Sequence, residues 1–248
     1  NPMARIALVT GGIGGIGTSI CTRLAKDGCT VVANCHPSEA AAAEEWKQAR
    51  AAEGFDIAVI TADVSSFEDS ARMVKEITEQ FGPIDILVNC AGITRDKTFK
   101  KMELAHWEAV INVNLNSVFN VTRQVWDGML ERGFGRIINI SSVNGQRGQF
   151  GQANYSAAKA GMHGFTMALA QEGASKGVTV NTISPGYVET AMTLAMDDGV
   201  RNSIIGGIPM RRMAQPDEIA AAIAFLASDE SAYMTGANLP VNGGLFMH

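Results

Sequence analysis

The chain has 248 residues, of which 46% are hydrophobic and 18% are charged, and its formal net charge is −5. This length and composition are typical of one large α/β domain or two small ones, and the acidic balance argues against a nucleic-acid partner. No apolar run reaches the roughly 18 residues that a membrane-spanning helix requires, so no membrane partner is expected.

The amino terminus and the cysteines indicate the cellular compartment of the protein. Asn1 and Pro2 precede a plausible start at Met3, and we expect them to be a remnant added to the chain. The first residues lack the basic and apolar regions of a signal peptide. The 4 cysteines are scattered without a C-x-x-C pair, and the 4 histidines show no ligand spacing. We therefore expect a cytoplasmic protein with reduced thiols and no metal site.

A glycine-rich turn follows the first predicted strand, RIALVT at residues 5–10. The glycines at 12, 14 and 17 fit G-x-G-x-x-G, and those at 11, 15 and 17 fit T-G-x-x-x-G-x-G equally well. A helical pattern then runs to Gly28. Strand, glycine turn and helix together favour a dinucleotide phosphate site over a purely structural turn. The residues expected to contact the cofactor here are Gly11, Gly12, Gly15, Ile16 and Gly17.

The second predicted strand, residues 30–34, lacks the usual acidic residue at its end. Many NAD sites place Asp or Glu there to bind the ribose 2′-hydroxyl. Here Asn34 ends the strand, Ser38 and Glu39 follow it, and residues 31–46 contain no Lys or Arg. A 2′-phosphate normally requires a cation. We expect these three residues to face the adenine ribose and NADH to be favoured over NADPH, although the stretch also reads as the alanine-rich start of a solvated helix.

The third and fourth predicted strands, residues 57–61 and 84–88, each lead into candidate cofactor contacts. Asp63, followed by Val64, is placed to hydrogen-bond the adenine; the alternative is a helix N-cap for residues 67–80, and both roles can coexist. After the fourth strand, Asn89, Ala91 and Gly92 are small enough to let the backbone lie close to a cofactor.

The chemistry is expected around residues 136–175. A fifth strand at 136–140 leads to Ser142, and a helix carries Tyr155 and Lys159, which share one face because they are four residues apart. An adjacent ammonium favours the phenolate, so we expect a lowered Tyr155 pKa and a tyrosine able to exchange a proton with a substrate oxygen. Ser142 could hydrogen-bond that oxygen. The alternative is a surface tyrosine with a chance lysine neighbour.

The rest of the chain completes an alternating pattern. A helix is predicted at 104–130 containing Asn114, a sixth strand at 178–183, a helix at 216–227 and a seventh strand at 238–241. Residues 187–214 lack periodicity, which indicates a lid or substrate loop. Alternating strands and helices predict the α/β class: a single Rossmann-type doubly wound domain over residues 3–248, with a seven-stranded parallel sheet flanked by helices. Five of the candidate features lie at carboxyl ends of strands, where such sheets bind ligands: the glycine turn, Asp63, Asn89, Ser142 and Pro185-Gly186.

These motifs together resemble the short-chain dehydrogenase/reductase family over essentially the whole chain. The resemblance is carried by the threonine and glycines at 10–17, the N-C-A-G sequence at 89–92, Asn114, Ser142, the Y-x-x-x-K pair and Pro185-Gly186. Cys90 departs from the family's usual asparagine. The resemblance implies that Tyr155 is the general acid, that Lys159 lowers its pKa and binds the nicotinamide ribose, that Ser142 orients the carbonyl and that Asn114 holds a relay water. The implied contacts to the cofactor at the sixth strand are Pro185, Gly186, Val188 and Thr190.

Within the family, residues 139–155, 92–96 and 184–187 resemble the bacterial acetoacetyl-CoA reductases of polyhydroxybutyrate synthesis. The resemblance implies reduction of a small acyl-CoA, acetoacetyl-CoA, to (R)-3-hydroxybutyryl-CoA, and a homotetramer built through residues 104–130, 153–175 and the last strand. One alternative is a 3-oxoacyl-acyl-carrier-protein reductase. Another is a non-catalytic nucleotide sensor, against which the intact catalytic residues argue. The implied substrate contacts are Asp96, Gln149, Phe150, Gln152 and Tyr187; the basic residues that could receive a carrier protein are Lys100, Lys101, Arg132 and Lys176.

Overall fold

A computed structural model describes residues 3–248; Asn1 and Pro2 lie outside the described residues. Its centre is a seven-stranded sheet in the order β3-β2-β1-β4-β5-β6-β7, in which every neighbouring pair is parallel. The seven-stranded parallel sheet predicted from the sequence is thereby confirmed. The strands are β1 (Ile6–Val9), β2 (Thr30–Cys35), β3 (Ala58–Thr61), β4 (Ile86–Asn89), β5 (Gly135–Ile140), β6 (Val178–Pro185) and β7 (Asn238–Val241).

Helices connect successive strands and cover both faces of the sheet. They are α1 (Gly15–Lys26), α2 (Ala40–Ala52), α3 (Phe67–Phe81), α4 (Leu104–Ile111), α5 (Ser117–Arg132), α6 (Val143–Arg147), α7 (Ala153–Gly173), α8 (Ala191–Leu194), α9 (Asp198–Gly207) and α10 (Pro216–Ala227). No helix within residues 3–248 is both long enough and apolar enough to cross a membrane.

Strand side chains alternate between two apolar cores, because successive residues of a strand point to opposite faces. Ala7 and Val9 of β1 belong to the core beneath α1 and α10, whereas Ile6 and Leu8 belong to the core beneath α3, α5 and α7. Both faces of a parallel sheet are therefore buried, which explains why these strands are nearly continuous apolar runs in the sequence.

The order of the strands in the sheet determines where a ligand crevice opens. The chain moves outward from β1 to β2 and β3, then returns to β4 on the other side of β1. The connections after β1 and β4 therefore diverge, and a crevice opens between them at the carboxyl edge of the sheet. The residues that follow β1, β4, β5 and β6 surround that crevice.

Three local predictions differ from the structure. The helix predicted at 104–130 is divided by a π-helical turn, Asn112–Asn116. Residues 187–214, predicted to be irregular, contain α8 and α9. A short helix, α6, follows Ser142, where none was predicted. Helices of four and five residues leave little periodicity in a sequence, and the π turn depends on a tertiary partner described below.

Candidate active site

The glycine turn after β1 leaves no room for side chains. Gly11 has φ +58°, and a Cβ added there would lie 2.8 Å from the Cα of Ala91. A Cβ on Gly12 would lie 2.8 Å from the Cβ of Ala33, and one on Gly17 would overlap the Gly11 carbonyl. The helix α1 then starts at Gly15 with no side-chain cap on its first N–H groups. This arrangement leaves free backbone donors facing the crevice, as a phosphate site requires.

Thr10 joins the glycine turn to the end of β4. Its hydroxyl oxygen accepts hydrogen bonds from the backbone N–H groups of Cys90 (3.0 Å) and Ala91 (3.1 Å). The sequence analysis used Thr10 only as part of a motif and missed this contact. The signal was a hydroxyl residue at a strand end, directly before the turn, where it can bond a neighbouring loop.

At the end of β2, Asn34 has a different environment from Ser38 and Glu39. The Asn34 side chain is buried; its Oδ1 accepts from Gly11 N–H, and its Nδ2 donates to the carbonyls of Cys35 and Ala62. Asn34 therefore braces the glycine turn from beneath. Glu39 and Ser38 are exposed, and both bond His36: the Glu39 carboxylate accepts from the His36 N–H (3.1 Å).

At the end of β3, Asp63 is not the N-cap of α3, so that alternative prediction is wrong. The cap of α3 is Ser66, whose hydroxyl accepts from the backbone N–H of Asp69 (3.1 Å). The Asp63 carboxylate instead accepts from both the N–H and the hydroxyl of Ser65. Val64 is buried, and its carbonyl accepts from the Asn120 amide.

At the end of β4, the backbone is available to the crevice, whereas the Asn89 side chain is not. That side chain is buried and donates to Asn139 (2.8 Å) and Thr122 (3.2 Å), away from the crevice. Gly92, three residues on, closely faces the catalytic candidates, since a Cβ added there would lie 2.6 Å from Asn114 Oδ1 and 3.6 Å from Lys159 Nζ.

Ser142, Tyr155 and Lys159 meet at the carboxyl end of β5. The Ser142 hydroxyl lies close enough to the Tyr155 phenol to lower the pKa of that phenol by hydrogen bonding. Lys159 is buried, its Nζ donates to the Ile140 carbonyl (2.7 Å) and lies 5.5 Å from the centroid of the Tyr155 ring. The Ser141 hydroxyl also contacts the Lys159 carbonyl at 2.9 Å. The structure therefore brings the three predicted residues together.

The predicted direction of the Tyr155 pKa is wrong for this structure. Burial raises the pKa of Tyr155 to about 12, and the hydrogen bond from Ser142 lowers it by less. Burial also lowers the pKa of Lys159 to about 8. Enclosure in a low-dielectric site disfavours both charged forms. The phenol is therefore protonated at neutral pH in the protein alone, which is the form an acid must have.

Asn114 lies in the π-helical turn with its amide held at one end. Its Nδ2 donates to the carbonyls of Ile93 (2.8 Å) and Val110 (2.9 Å), and its Oδ1 is buried with no hydrogen-bond partner in residues 3–248. Oδ1 faces the position beside Gly92 that Lys159 Nζ also faces. A buried acceptor without a partner costs about 1–3 kcal/mol, so this atom is suited to a bound water or ligand donor.

The predicted substrate contacts fall into two groups. Gln149 and Phe150 are exposed at the rim, and Phe150 is 86% accessible. Gln152 is buried, and its amide donates to both carboxylate oxygens of Asp96, at 3.2 and 3.1 Å. Asp96 and Gln152 thus bond each other. No local pattern indicates this contact, because 56 residues separate Asp96 and Gln152.

The segment after β6 closes one side of the crevice. Val188 is buried, and Thr190 packs against the glycine turn: a Cβ added to Gly15 would lie 3.2 Å from its methyl group. Pro185 ends β6, and a Cβ on Gly186 would lie 2.9 Å from the backbone of Asn242. Tyr187 lines a separate cavity of about 350 Å³ between this segment and β7.

Only part of the predicted basic surface lies near the crevice. Lys100 and Lys101 belong to a 3₁₀ turn in the segment tied to the crevice by the Lys97 N–H to Gly151 carbonyl bond (3.0 Å). Arg132 and Lys176 precede β5 and β6, at the opposite edge of the sheet. A six-residue strand such as β5 spans about 20 Å.

The cysteines and acidic residues give no indication of a metal centre. All four cysteines are free: Cys21 and Cys35 are buried, and Cys29 and Cys90 are half-buried. Cys90 lies near the catalytic residues, and burial raises its pKa to about 11. Within residues 3–248, no three His, Cys, Asp or Glu side chains are grouped so that they could hold a metal ion.

Comparison with known proteins gives both a family and close relatives. The short chain dehydrogenase family model matches residues 5–200. An acetoacetyl-CoA reductase of Allochromatium vinosum is 96% identical over 246 residues, covering 99% of this chain and 100% of that protein. An acetoacetyl-CoA reductase of Cupriavidus necator is 55% identical, covering 98% of each chain. A 3-oxoacyl-acyl-carrier-protein reductase of Vibrio cholerae is 44% identical, covering 100% of this chain and 99% of that protein.

Proposed function

The chain belongs to the short-chain dehydrogenase family, and from that premise we propose that it reduces acetoacetyl-CoA to (R)-3-hydroxybutyryl-CoA with a nicotinamide cofactor. The observation that carries the proposal is the meeting of Ser142, Tyr155 and Lys159 at the carboxyl end of β5, beside the glycine turn. The relatives named as acetoacetyl-CoA reductases support the choice of substrate.

The residues around the crevice fit a nicotinamide dinucleotide. Gly11, Gly12 and Gly17 let the turn pack tightly, since a Cβ on any of them would meet neighbouring protein atoms, and the N–H groups at the start of α1 suit the pyrophosphate. When bound, the dinucleotide supplies the hydride. We propose that Asp63 and Val64 contact the adenine, that the backbone of residues 89–92 contacts the middle of the molecule, and that the segment from Pro185 to Thr190 contacts the carboxamide.

Each catalytic side chain has one task in the reduction. Tyr155, protonated at neutral pH, gives its hydroxyl proton to the ketone oxygen as the carbon accepts hydride. Ser142 donates a hydrogen bond to the same oxygen and stabilises the charge that develops there. Lys159, while protonated, stabilises the phenolate that remains and is placed to bind the nicotinamide ribose. Asn114 Oδ1 holds a water through which Tyr155 and Lys159 recover a proton.

The cofactor we propose is NADH in preference to NADPH. Ser38 and Glu39 are exposed after β2, where the adenine ribose of such folds lies. Glu39 is acidic, and residues 31–46 contain no cation to neutralise a 2′-phosphate. Asn34 contributes by bracing the glycine turn rather than by touching the ribose.

The acyl-CoA substrate enters beside the rim formed by Gln149 and Phe150. The exposed ring of Phe150 is suited to cover the acyl arm, whereas Tyr187 lines the separate cavity beside β7. Asp96 and Gln152 shape this wall through their mutual hydrogen bonds. We propose that Lys100 and Lys101, in the turn that follows Lys97, face the phosphates of coenzyme A.

A carrier-protein reductase is the second candidate, and the 44% identical Vibrio protein favours it. It needs a broad basic surface at the mouth of the site for an acidic carrier. Arg132 and Lys176 are at the opposite edge of the sheet, which leaves two of the four candidate cations near the mouth. We therefore favour the coenzyme A thioester, in polyhydroxybutyrate biosynthesis in the cytoplasm.

Turnover of matched thioesters tests this choice. Acetoacetyl-CoA and acetoacetyl-carrier protein would be compared at equal concentration with NADH, and the product's configuration determined by chiral chromatography. We expect the higher kcat/KM with the CoA thioester and the (R) product. A strong preference for the carrier thioester would replace our function with the second candidate, and no turnover of either would refute both.

We also propose a homotetramer. Large apolar side chains remain exposed on α4, α5 and α7, the helices expected to form its interfaces: Leu104, Trp107, Phe119 and Met167. Contiguous exposed apolar side chains of this size are typical of interaction surfaces. Sedimentation equilibrium would give four times the 26.3 kDa chain mass if the proposal is right, and one or two times that mass if it is wrong.

A further inference from the structure

A chain of side-chain hydrogen bonds runs from the mouth of the crevice to Ser142. The Gln152 amide donates to the Asp96 carboxylate, and the Asn144 amide donates to Gln152 Oε1 at 3.0 Å. The backbone N–H of Asn144 then donates to the Ser142 hydroxyl oxygen at 3.1 Å. Asn144 thus links this series of hydrogen bonds to a catalytic side chain, and no sequence motif indicates that role.

Asp96 fixes the direction of the Gln152 and Asn144 side-chain bonds, and the bond to Ser142 is donated by a backbone N–H. An ionised carboxylate can only accept hydrogen bonds. Gln152 must therefore present its NH₂ to Asp96 and its oxygen to Asn144. Asn144 must in turn present its own NH₂ to Gln152, so its Oδ1 points away; that oxygen is buried and has no hydrogen-bond partner in residues 3–248. The donor and acceptor requirements of Asp96 and Gln152 therefore determine which way the Asn144 amide is oriented.

The Ser142 hydroxyl depends on Asn144 for its orientation. The Asn144 N–H occupies one lone pair of Ser142 Oγ, which leaves the hydroxyl hydrogen free to point at Tyr155 or at a substrate oxygen. Asn144 belongs to α6, which has five residues, and a helix that short is not stable by itself. Its place is set by packing of Gly145 against Lys159, where a Cβ would lie 2.8 Å from the Lys159 Cβ, and by the Asn144 side chain.

We propose that Asn144 is a positioning residue for the reduction: its side chain, held by Gln152 and Asp96, fixes the start of α6 so that Ser142 aims its hydroxyl hydrogen at the substrate carbonyl. The proposal rests on the proposed function, since it assigns Ser142 the role of donor. Asn144 touches neither substrate nor cofactor in this account and acts only through Ser142.

Substitution of Asn144 tests the proposal through the division between kcat and KM. A displacement of about 1 Å at a reacting group can lower a rate by about 100-fold. We expect Asn144→Ala to lower kcat by about 10- to 100-fold with KM for acetoacetyl-CoA changed less than about threefold. The matched control is Asn116→Ala, which also removes an amide-to-amide hydrogen bond (2.8 Å to Asn112) but on an exposed helix surface. Unchanged kcat in Asn144→Ala, or an equal loss in the control, would overturn the proposal.

A double-mutant cycle separates positioning from a general loss of structure. Residues that act through one group are strongly non-additive. We expect Asn144→Ala to have little further effect on kcat once Ser142→Ala is present; a full additional loss would mean that Asn144 does not act through Ser142. Asn144→Asp, nearly the same shape, covers the case in which the alanine variant does not fold. It cannot donate to Gln152 as a carboxylate, and we expect the same loss at pH 7.5; wild-type kcat there would overturn the proposal.

The outcome also distinguishes this proposal from the proposed function. If the wild-type protein does not reduce acetoacetyl-CoA, the proposed function itself fails, whereas wild-type turnover in both Ser142→Ala and Tyr155→Phe would refute the catalytic roles of those residues and the positioning role with them. If those two lose turnover and the Asn144 variants do not, the reductase function stands and only the positioning role is refuted.

Discussion

The ammonium nitrogen of Lys159 lies 5.5 Å from the centroid of the Tyr155 ring, in a site that encloses both residues. Enclosure acts on the two groups in opposite senses. It raises the pKa of Tyr155 to about 12 and lowers that of Lys159 to about 8. At neutral pH the pair is therefore a neutral phenol beside a cation, the state needed to donate a proton and then to stabilise the anion left behind.

Removal of the Tyr155 hydroxyl is expected to abolish reduction while leaving the cofactor in place. A positioned acid contributes about 10²–10⁴-fold to a rate, so Tyr155→Phe should lower kcat by at least that lower bound. The phenyl ring keeps its packing, and the NADH dissociation constant from fluorescence titration should change little. Turnover near the wild-type rate would refute the acid assignment.

The pH dependence should report Lys159. The cation is needed, and its pKa is about 8, so kcat/KM should decline as the pH rises through that value. Tyr155 must also stay protonated, but its pKa of about 12 places its own loss far higher. We expect a single basic limb near pH 8 in a profile from pH 6 to 10. A flat profile to pH 10 would contradict the role of the lysine charge.

The buried cation of Lys159 should lower the stability of the protein. Its pKa falls from 10.5 to about 8 on folding, equivalent to about 3 kcal/mol at about 1.4 kcal/mol per unit. This destabilisation is present in full below pH 8, where the lysine is charged in both states. It fades between pH 8 and 10.5, because the folded protein then releases the proton before the unfolded chain does.

Lys159→Met tests that statement. The substitution removes the buried charge, which stabilises the folded protein. It also leaves the Ile140 carbonyl without its donor, which offsets about 1 kcal/mol of that stabilisation. We expect an inactive variant whose melting temperature exceeds that of the wild type at pH 7, with the difference shrinking at pH 10. A variant that melts lower than the wild type at pH 7 would show that burial of the cation is not destabilising.

Local patterns were sufficient to predict the sheet and the meeting of the catalytic residues. The four-residue spacing of Tyr155 and Lys159 places both on one helix face wherever α7 packs, and Ser142 follows the strand next to that helix. Strand ends in a parallel sheet converge regardless of loop detail. These features depend on short apolar runs bounded by turn residues and on the 3.6-residue period of helices, which a sequence displays directly.

Features that depend on distant partners were not predictable. Asn34 turns inward because Gly11 N–H and the Ala62 carbonyl meet it there, and Gln152 bonds Asp96 across 56 residues. In the π turn, the Asn114 amide donates to the carbonyl of Ile93, which is also distant in the sequence. The direction of the Tyr155 pKa was mispredicted for the same reason, since burial is a property of the packed molecule and not of the Y-x-x-x-K spacing.

The exposed surface after β2 should determine the choice between NADH and NADPH. Glu39 carries a negative charge there, and Ser38 offers only a hydroxyl. We expect wild-type kcat/KM to be higher with NADH, and Glu39→Lys to shift the NADH to NADPH ratio at least about tenfold toward NADPH, because a charged hydrogen bond to phosphate is worth about 1.5–3 kcal/mol. Glu44→Lys, the same charge change on the exposed part of α2, is the matched control. A wild-type preference for NADPH would refute the assignment.

The partnerless oxygen of Asn114 should matter to catalysis more than its packing does. Asn114→Leu keeps a side chain of similar size in the π turn but removes the acceptor that faces Lys159 beside Gly92, together with the amide donor to Ile93 and Val110. Without a water held there, reprotonation of the Tyr155–Lys159 pair slows, and we expect kcat to fall by about 10- to 100-fold with NADH binding retained. Asn116→Leu, an exposed amide two residues away, controls for the change in helix composition. Because the loss is assigned to proton return, the solvent deuterium isotope effect on kcat should rise in Asn114→Leu and not in the control; an unchanged kcat would remove Asn114 from the reaction.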